Sequence, residues 1–169
     1  MSEIVDGERL RAVMRHVASP VTVVTFASEA GPRGVTIGSF TSLSLEPPLV
    51  CFNLNKESSV YEELTCAEAF VVHILADTQA YLSNHFARSE QTSAEQFASI
   101  DHRIDAGGMP RLDGVLAVMS CRRHALFQAG DHTIVVGEVV DVDVAEGAAG
   151  PILYYNRSYR GIGAAVNAE

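Results

Sequence analysis

The sequence predicts a mainly β protein in which short helices are inserted between strands that form a closed or nearly closed barrel. Six or seven segments rich in β-branched residues run from Pro20 to Tyr155. The helical signals between them are short. No GxGxxG motif follows a strand, so a doubly wound dinucleotide-binding sheet has no support. The length of 169 residues fits one domain, 1–169, and no repeat or linker divides it.

Helix and strand signals alternate in the first half of the chain. Asp6 is the expected cap of a helix whose apolar residues recur at helical spacing, namely Leu10, Val13, Met14 and Val17. Extended structure is predicted over 20–26, 35–39 and 49–53, with turn residues at 31–34.

A helix start is predicted near residue 59, because Ser59 and Glu62 have the spacing of a capping box. It is followed by a predicted strand over 69–75, a helix from Asp77 to Phe86 and a helical turn opened by Thr92.

The second half of the chain is predicted to be mostly strand, over 115–126, 133–144 and 152–155. Within the second of these, Val140, Val142 and Val144 alternate with Asp141 and Asp143, which predicts one buried and one solvent-facing side. The core is expected to cover about 10–161, with a flexible tail over 162–169.

The composition excludes several classes of function. A net charge of −9 argues against a nucleic-acid surface, since affinity there comes from Lys and Arg on phosphates. No apolar run approaches the roughly 18 residues of a membrane span, and the polar, acidic N-terminus lacks the layout of a signal peptide. Cys51, Cys66 and Cys121 are widely spaced and form no CxxC pair. We therefore expect a cytoplasmic protein with free, partly buried thiols and neither a membrane nor a nucleic-acid partner.

The densest polar cluster surrounds the only lysine of the chain, Lys56. Ser58 and Ser59 follow it at the predicted helix start, where free backbone N–H groups and the helix dipole favour an anion. The segment from Asn55 to Ser59 is therefore a candidate phosphate cradle. A well-capped surface helix whose polar side chains bind nothing is the alternative, and the residues alone leave both open.

Residues 35–50, VTIGSFTSLSLEPPLV, resemble the most characteristic block of the flavin-reductase-like family, the small reductase components of two-component flavin monooxygenases. Three further segments match in the same order: NHFA at 84–87, GDH at 130–132, and PILYY at 151–155 with Tyr159 behind it. The likeness extends from about Leu10 to Gly161.

The resemblance implies a split β-barrel of the FMN-binding type that binds FMN or FAD at a homodimer interface. It also implies that NADH or NADPH reduces the flavin, which then leaves for a separate flavin-dependent monooxygenase. The flavin ring and ribityl chain are expected along Thr36, Ile37, Gly38, Ser39, Thr41 and Ser42, and the phosphate near Asn53, Lys56, Ser58 and Ser59. Phe86 and Ala87 are expected beside the flavin, and His132 and Tyr159 on the nicotinamide side.

Hydride transfer is a positioning problem, because the nicotinamide must stack on the flavin at roughly 3–3.5 Å. Backbone N–H groups from Ile37 to Ser39 are candidate donors to the flavin, and Gly38 lets the backbone approach the ring closely. His132 is assigned to binding and positioning the nicotinamide nucleotide, not to proton transfer. A turn histidine that only satisfies a carbonyl is the alternative.

Two places depart from the family pattern. Gly38 stands where relatives often carry Asn or another side chain, and the turn over 155–159 lacks the Gly that many relatives have. A turn without this Gly is bulkier, which is expected to alter the access of the nicotinamide and the role of Tyr159. Arg157 in this turn is either a contact for the 2′-phosphate of NADPH or an ordinary exposed arginine.

Other catalytic sites find no support in the sequence. There is no GxSxG motif, and Asp131 and His132 are expected to point to opposite faces of a strand instead of pairing. The six histidines lack metal-ligand spacing, so no metal is expected. Two alternatives to a flavin reductase stay open: a flavin-retaining oxidase or reductase with another small-molecule acceptor, and a non-catalytic flavin-binding module.

Overall fold

The computed structural model describes residues 4–147 and 149–165. In chain order its elements are α1 (Gly7–Met14), β1 (Ser19–Pro20), β2 (Thr22–Ser28), β3 (Gly31–Ile37), β4 (Thr41–Leu45), β5 (Pro48–Asn55), α2 (Tyr61–Cys66), β6 (Ala69–Ile74), α3 (Ala80–Phe86), α4 (Ser93–Phe97), β7 (His102–Ile104), β8 (Pro110–Leu112), β9 (Ala117–Ala129), β10 (His132–Val144), β11 (Leu153–Tyr155) and β12 (Ser158–Arg160). The prediction of a mainly β fold with short helices is confirmed.

The main element is a seven-stranded antiparallel sheet in the order β3-β2-β6-β9-β10-β5-β4. Its two edge strands, β3 and β4, are separated in the chain by only three residues, 38–40. No ladder joins these edges in the part of the chain that the structure describes, so the sheet is not closed. A three-stranded sheet, β1-β11-β12, and the hairpin β7-β8 complete the strands.

The core lies on both faces of the main sheet. Val23 and Val24 are adjacent on β2, and both are fully buried. Because side chains of a strand alternate between faces, the two lie on opposite faces of the sheet, and both faces are covered. Val23 belongs to a cluster that includes residues of α3 and α4, among them Leu82, Phe86 and Phe97. Val24 belongs to a second cluster with residues of β5 and α2. Because both faces of β2 are covered, its sequence is a continuous run of apolar residues and threonines without charged side chains.

Helix starts are only partly as predicted. The caps at Asp6 and Thr92 are confirmed: the Asp6 carboxylate accepts a hydrogen bond from the Arg9 N–H at 2.8 Å, and Thr92 forms a capping box with Glu95. The capping box at Ser59 is wrong, because α2 starts at Tyr61 after Val60 and has no side-chain cap.

The predicted cap at Asp77 is also wrong. The helix α3 begins at Ala80, and the residue before it, Gln79, makes no capping bond. The Asp77 N–H instead donates to the carbonyl of Gly150 at 2.9 Å, which ties this loop to the chain before β11.

Several strand boundaries differ from the prediction. The first hairpin turns at Glu29-Ala30, not over 31–34, and β3 starts at Gly31, whose φ of +111° suits glycine. The hairpin β7-β8 and strand β12 were not predicted. The expected tail, 162–169, lies partly outside the described residues.

The end of β10 contradicts its predicted burial pattern. Val140, Val142 and Val144 are 59%, 61% and 71% exposed, and Asp141 and Asp143 on the other side are exposed as well. Alternation therefore gives two solvent-facing sides in a single chain, one of them apolar.

All three cysteines are free thiols, and burial raises the pKa of Cys121 to about 12. No helix within residues 4–147 and 149–165 is long and apolar enough to cross a membrane.

Candidate functional site

Three adjoining cavities lie over the edge strand β3. The first has a volume of about 460 Å³, the second about 350 Å³ and the third about 210 Å³. Thr36 lines all three of them, and Ile37 and Gly38 line the first two. Ala87 joins the first cavity to the third, and Ser58 joins the second to the third. The three cavities therefore form one groove, and the end of β3 is its floor.

The first cavity is bounded by Tyr159 on β12. The Tyr159 hydroxyl lies 2.8 Å from Ser83 Oγ and 3.0 Å from Asn84 Oδ1, both on α3. The ring of Tyr154 packs edge-on against that of Tyr159, with centroids 5.4 Å apart. These contacts hold Tyr159 half-buried in a fixed position at the cavity wall.

The second cavity contains His132, the first residue of β10. Ser39 stabilises its other side, because its hydroxyl accepts a hydrogen bond from the Asn53 N–H at 2.9 Å. This bond connects the segment after β3 to β5, which pairs with β10 through Asn55 and His132. Ser39, Asn53 and His132 are thus brought to one cavity from three parts of the chain.

His132 pairs with its neighbour Asp131, contrary to the expectation that the two side chains point apart. The Nδ1 atom of His132 lies 2.8 Å from Asp131 Oδ1. This is possible because Asp131 lies in the turn before β10, where side chains do not yet alternate as in a strand. The hydrogen bond and the charge of the imidazolium form lower the pKa of Asp131 below its ordinary value.

The third cavity lies between the loop before α2 and the end of α3. Ser58, Ser59 and Arg88 line it together with Phe86. Phe86 is 1% exposed, and its ring fills the space over Gly34, where a Cβ would come within 2.7 Å of it. The imidazole of His85 is engaged with the carbonyl oxygen of Gln96 at 2.7 Å, which leaves Arg88 as the cation of this cavity.

The groove suits an anionic ligand. No Asp or Glu lines any of the three cavities, although the chain carries a net charge of −9. Each has one side chain that is or can become a cation: Arg157 in the first, His132 in the second and Arg88 in the third. Gly38 leaves the floor open, because a Cβ there would meet only the Pro20 carbonyl oxygen, at 3.9 Å. These features suit a ligand that carries phosphate groups.

Comparison with known proteins identifies the family. The model of the flavin reductase like domain matches residues 14–163. The chain belongs to the flavin reductase like domain family. The resemblance found in the sequence is thereby confirmed.

Relatives in the family have named activities. The chain is 42% identical to the NADH:FMN oxidoreductase of Rhodococcus qingshengii over an alignment of 160 positions, and the match covers 92% of this chain and 81% of that one. It is 37% identical to the 4-hydroxyphenylacetate 3-monooxygenase reductase component of Thermus thermophilus over 153 residues, 90% and 95% of the two chains. A probable flavin reductase of Rhizobium meliloti is longer: the match is 40% identical over 139 residues, and the chain spans 44% of that protein.

A solved structure shares the fold closely. The NADH:FAD oxidoreductase of Streptomyces globisporus C-1027, in complex with NAD and FAD fragments, superposes with a TM-score of 0.85 at 34% identity. The match covers 96% of this chain and 98% of that one.

Three residues expected in the flavin site of this family member do not line the groove. Thr41 and Ser42 lie exposed on edge strand β4. Lys56 lies at the β9–β10 turn, where its Nζ donates to the carbonyl of Gly130 at 2.7 Å. The other predicted residues line at least one of the three cavities: Thr36, Ile37, Gly38, Ser39, Asn53, Ser58, Ser59, Phe86, Ala87, His132 and Tyr159.

Ser83, Asn84 and Tyr154 line the first cavity but were not assigned to the site from the sequence, although Tyr154 lies in the matched PILYY segment. Asn84 belongs to the NHFA segment, which was the available signal. Ser83 is buried and had none, because its role depends on the return of β12 from the far end of the chain. Among the described residues, no group of three or more His, Cys, Asp and Glu side chains is arranged to hold a metal ion.

Proposed function

We propose that this protein is an NAD(P)H:flavin oxidoreductase, a single flavin reductase-like domain that reduces FMN or FAD with NADH or NADPH. The observation that carries the proposal is the groove over β3, whose lining has no carboxylate in an acidic chain. A flavin brings a phosphate and becomes more negative near N1 on reduction, so nearby carboxylates would oppose both binding and reduction. The named activities of the family members described above support the same function.

The flavin ring and ribityl chain are assigned to the segment from Thr36 to Ser42. The Thr36 hydroxyl already donates to the Ser83 carbonyl at 2.7 Å, so only its backbone N–H is left as a donor to a ligand. Because β3 is an edge strand, part of its backbone N–H and C=O groups have no partner strand. Backbone donors from Ile37 to Ser39 are therefore assigned to the polar edge of the flavin.

The flavin phosphate is assigned to the third cavity. Ser58 and Ser59 supply hydroxyl and backbone donors there, and Arg88 supplies the positive charge. Asn53 and Lys56 stay part of the proposal as neighbours of this region. For Lys56 to contribute directly, its Nζ would have to exchange the Gly130 carbonyl for the phosphate.

Phe86 and Ala87 have different tasks. The Phe86 ring is buried between α3 and β3, so it sets the spacing between these two elements and thereby supports the groove. Ala87 is exposed and lines two of the cavities, which makes it the contact beside the flavin.

The nicotinamide is assigned to the part of the groove where the first two cavities adjoin, with Tyr159 lining the first and His132 the second. A bound flavin supplies the hydride acceptor, and the protein's task is to stack the nicotinamide on it at the transfer distance. Tyr159 is fixed by α3, and His132 by Asp131, so both can orient a ligand with little loss of side-chain freedom. Neither residue needs to move a proton.

The functional unit is proposed to be a homodimer of split β-barrels of the FMN-binding type. The valine side of β10, Leu43 and Leu45 on β4, and Phe127 on β9 are large apolar side chains that stay more than half exposed in one chain. Such exposure is typical of surfaces that a second subunit covers.

A separate flavin-dependent monooxygenase is the proposed acceptor of the reduced flavin, as the name of the Thermus thermophilus relative suggests. The three free thiols of the present chain suit the reducing cytoplasm, which is its proposed location.

The experiment is a matrix of two flavins against two nicotinamide nucleotides. Purified protein is mixed with each pair in turn, and nicotinamide oxidation is followed at several flavin concentrations. Saturable turnover with added flavin is the expected result. Flavin retained through gel filtration, with poor turnover of added flavin, would favour the flavin-retaining alternative. Tight flavin binding without reduction by either nucleotide would favour a binding module.

A further inference from the structure

A fourth cavity of about 290 Å³ adjoins the first one and is lined by three arginines, Arg11, Arg15 and Arg157. It shares Ser19, Tyr154 and Arg157 with the Tyr159 cavity. It shares no lining residue with the cavities of His132 or of Ser58 and Ser59. The arginines therefore lie next to the proposed nicotinamide site and apart from the proposed flavin phosphate site.

The three arginines are brought together by a contact between the two ends of the chain. The Asn156 N–H donates to the carbonyl of Arg15 at 3.2 Å, which fixes the β11–β12 turn against the end of α1. Arg11 precedes Arg15 by one helical turn, so both lie on the same face of the helix. The cavity is thus a built feature of the fold.

Its charge is not balanced by any residue within 4–147 and 149–165. Arg33, Arg103, Arg111 and Arg122 each have a carboxylate within 4.0 Å. For Arg11, Arg15 and Arg157, by contrast, no described residue forms an ion pair with the guanidinium, and no Asp or Glu lines their cavity. Three like charges around one cavity repel each other unless an anion lies between them.

The backbone at Arg157 supports a function for its side chain. Asn156 and Arg157 form the two-residue turn of the β11–β12 hairpin, with φ of +44° and +63°. A turn with both φ values positive is best served by Asn followed by Gly, and any other residue at the second position is strained. Strain of this kind is commonly retained at functional sites, where the side chain is needed.

Resting on the proposed function, we propose that Arg11, Arg15 and Arg157 bind the phosphate groups of the nicotinamide dinucleotide. The nicotinamide would then occupy the first cavity beside Tyr159, and its pyrophosphate or 2′-phosphate the fourth. Guanidinium groups bind phosphate oxygens in a bidentate manner, which gives both affinity and orientation. Bound in this way, the dinucleotide would approach the flavin from the side of α1 and the β11–β12 turn.

Arg157→Gly is the main test, because it removes the side chain and relieves the strained turn. We expect a Tm no lower than that of the wild type and a KM for the dinucleotide raised roughly tenfold, with kcat and the KM for FMN unchanged. Arg15→Gln should raise the same KM. Arg160→Gln is the control, since Arg160 lines none of the four cavities.

The choice of nucleotide identifies the phosphate. A raised KM for both NADH and NADPH assigns the pyrophosphate, whereas a raised KM for NADPH alone assigns the 2′-phosphate. Reduced nicotinamide riboside carries no phosphate group, so its KM should not change in either variant. A raised KM for FAD, with unchanged KM values for NADH and NADPH, would overturn the proposal and assign the arginines to the flavin.

Calorimetry with ADP-ribose and its 2′-phosphorylated form separates this proposal from the reductase activity, since neither probe can donate a hydride. Weaker binding by Arg157→Gly and Arg15→Gln than by wild-type protein is expected. Unchanged affinity for both probes, together with unchanged KM values, would overturn the subsite and leave the reductase function in place. If the wild-type protein binds these probes, the variants bind them more weakly, and no nicotinamide nucleotide is oxidised with either flavin, the reductase function alone is overturned and the subsite stands.

Discussion

His132 Nδ1 lies 2.8 Å from Asp131 Oδ1, a hydrogen bond between neighbours at the start of β10. The pKa of Asp131 is lowered by this bond, so the carboxylate is ionised at neutral pH and can only accept. Nδ1 must therefore carry the proton and donate it, which leaves Nε2 as the ring nitrogen available to a ligand in the second cavity. The imidazole is oriented before any nucleotide binds.

His132→Ala is expected to raise the KM for NADH or NADPH by roughly tenfold with a much smaller change in kcat, because it removes a binding contact and no proton transfer step. Steady-state kinetics at saturating flavin measures both constants. Asp131→Asn should have a weaker effect in the same direction, since the amide can still accept from Nδ1. An unchanged KM in the alanine variant would reject the role given to His132.

Two glycines of the groove floor are expected to respond in opposite ways to alanine. Gly34→Ala should lower the free energy of unfolding by about 1–3 kcal/mol, because its Cβ would come within 2.7 Å of the Phe86 ring. Gly38→Ala should fold as well as the wild type, since its Cβ has only one neighbour, at 3.9 Å.

Gly38→Trp should weaken flavin binding while preserving stability, because its ring is much larger than the Asn that relatives often carry here and would fill the space between the first two cavities. Thermal unfolding and flavin titration of the three variants test both statements. Flavin affinity that Gly38→Trp leaves intact would place the flavin elsewhere than on this part of β3.

The sequence predicted the groove floor better than its walls. Thr36, Ile37 and Gly38 lie in one characteristic block on one strand, so a local pattern was enough to find them. Tyr159, in contrast, reaches Ser83 and Asn84 across 76 and 75 positions of the chain, a contact that no local pattern encodes. Lys56 was chosen for its charge, its place at a predicted helix start and its match to the phosphate region of the family, whereas its bond to Gly130 depends on how β5 pairs with β10.

Local turn and cap chemistry also failed where tertiary contacts compete with it. Ser59 and Asp77 have the residue types of helix caps, but the helices begin later, at Tyr61 and Ala80. The N–H of Asp77 is instead taken by the loop before β11. The alternation on β10 was recognised correctly, and only the burial of its apolar side was wrong.

The buried His73 is expected to make stability depend on pH. Its ring is fully buried between the Val23 carbonyl and the Leu112 N–H, each 3.1 Å from one ring nitrogen. Desolvation lowers its pKa from 6.5 to about 4, so the folded state holds it neutral. Between these values the unfolded chain binds the extra proton, and stability falls as the pH falls. The loss amounts to about 2 kcal/mol at about pH 5 relative to neutral pH.

Denaturant unfolding between about pH 5 and pH 7 measures this dependence. His73→Gln is the matched variant, because an amide can serve both partners but does not titrate. It should be less stable at neutral pH and show a flatter slope. An equal slope in both proteins would exclude His73 as its source.

The valine side of β10 is expected to form the subunit interface. Val142→Lys should shift the protein toward monomers in sedimentation velocity, because it places a charge in the middle of the apolar side. Asp143→Lys is the control, since Asp143 is the next residue and lies on the opposite side of the strand. A wild-type protein that is monomeric at micromolar concentrations would contradict the proposed homodimer.

The most direct test of the proposed function is anaerobic mixing of the protein with FMN or FAD and a nicotinamide nucleotide, with flavin and nicotinamide absorbance followed together. We predict that at least one pair reacts in the presence of the protein, with one nicotinamide oxidised for each flavin that loses its oxidised absorbance. The rate should rise with protein concentration and be slowed by His132→Ala at low nucleotide concentration. A rate equal to that of the protein-free mixture, for both flavins and both nucleotides, would contradict it.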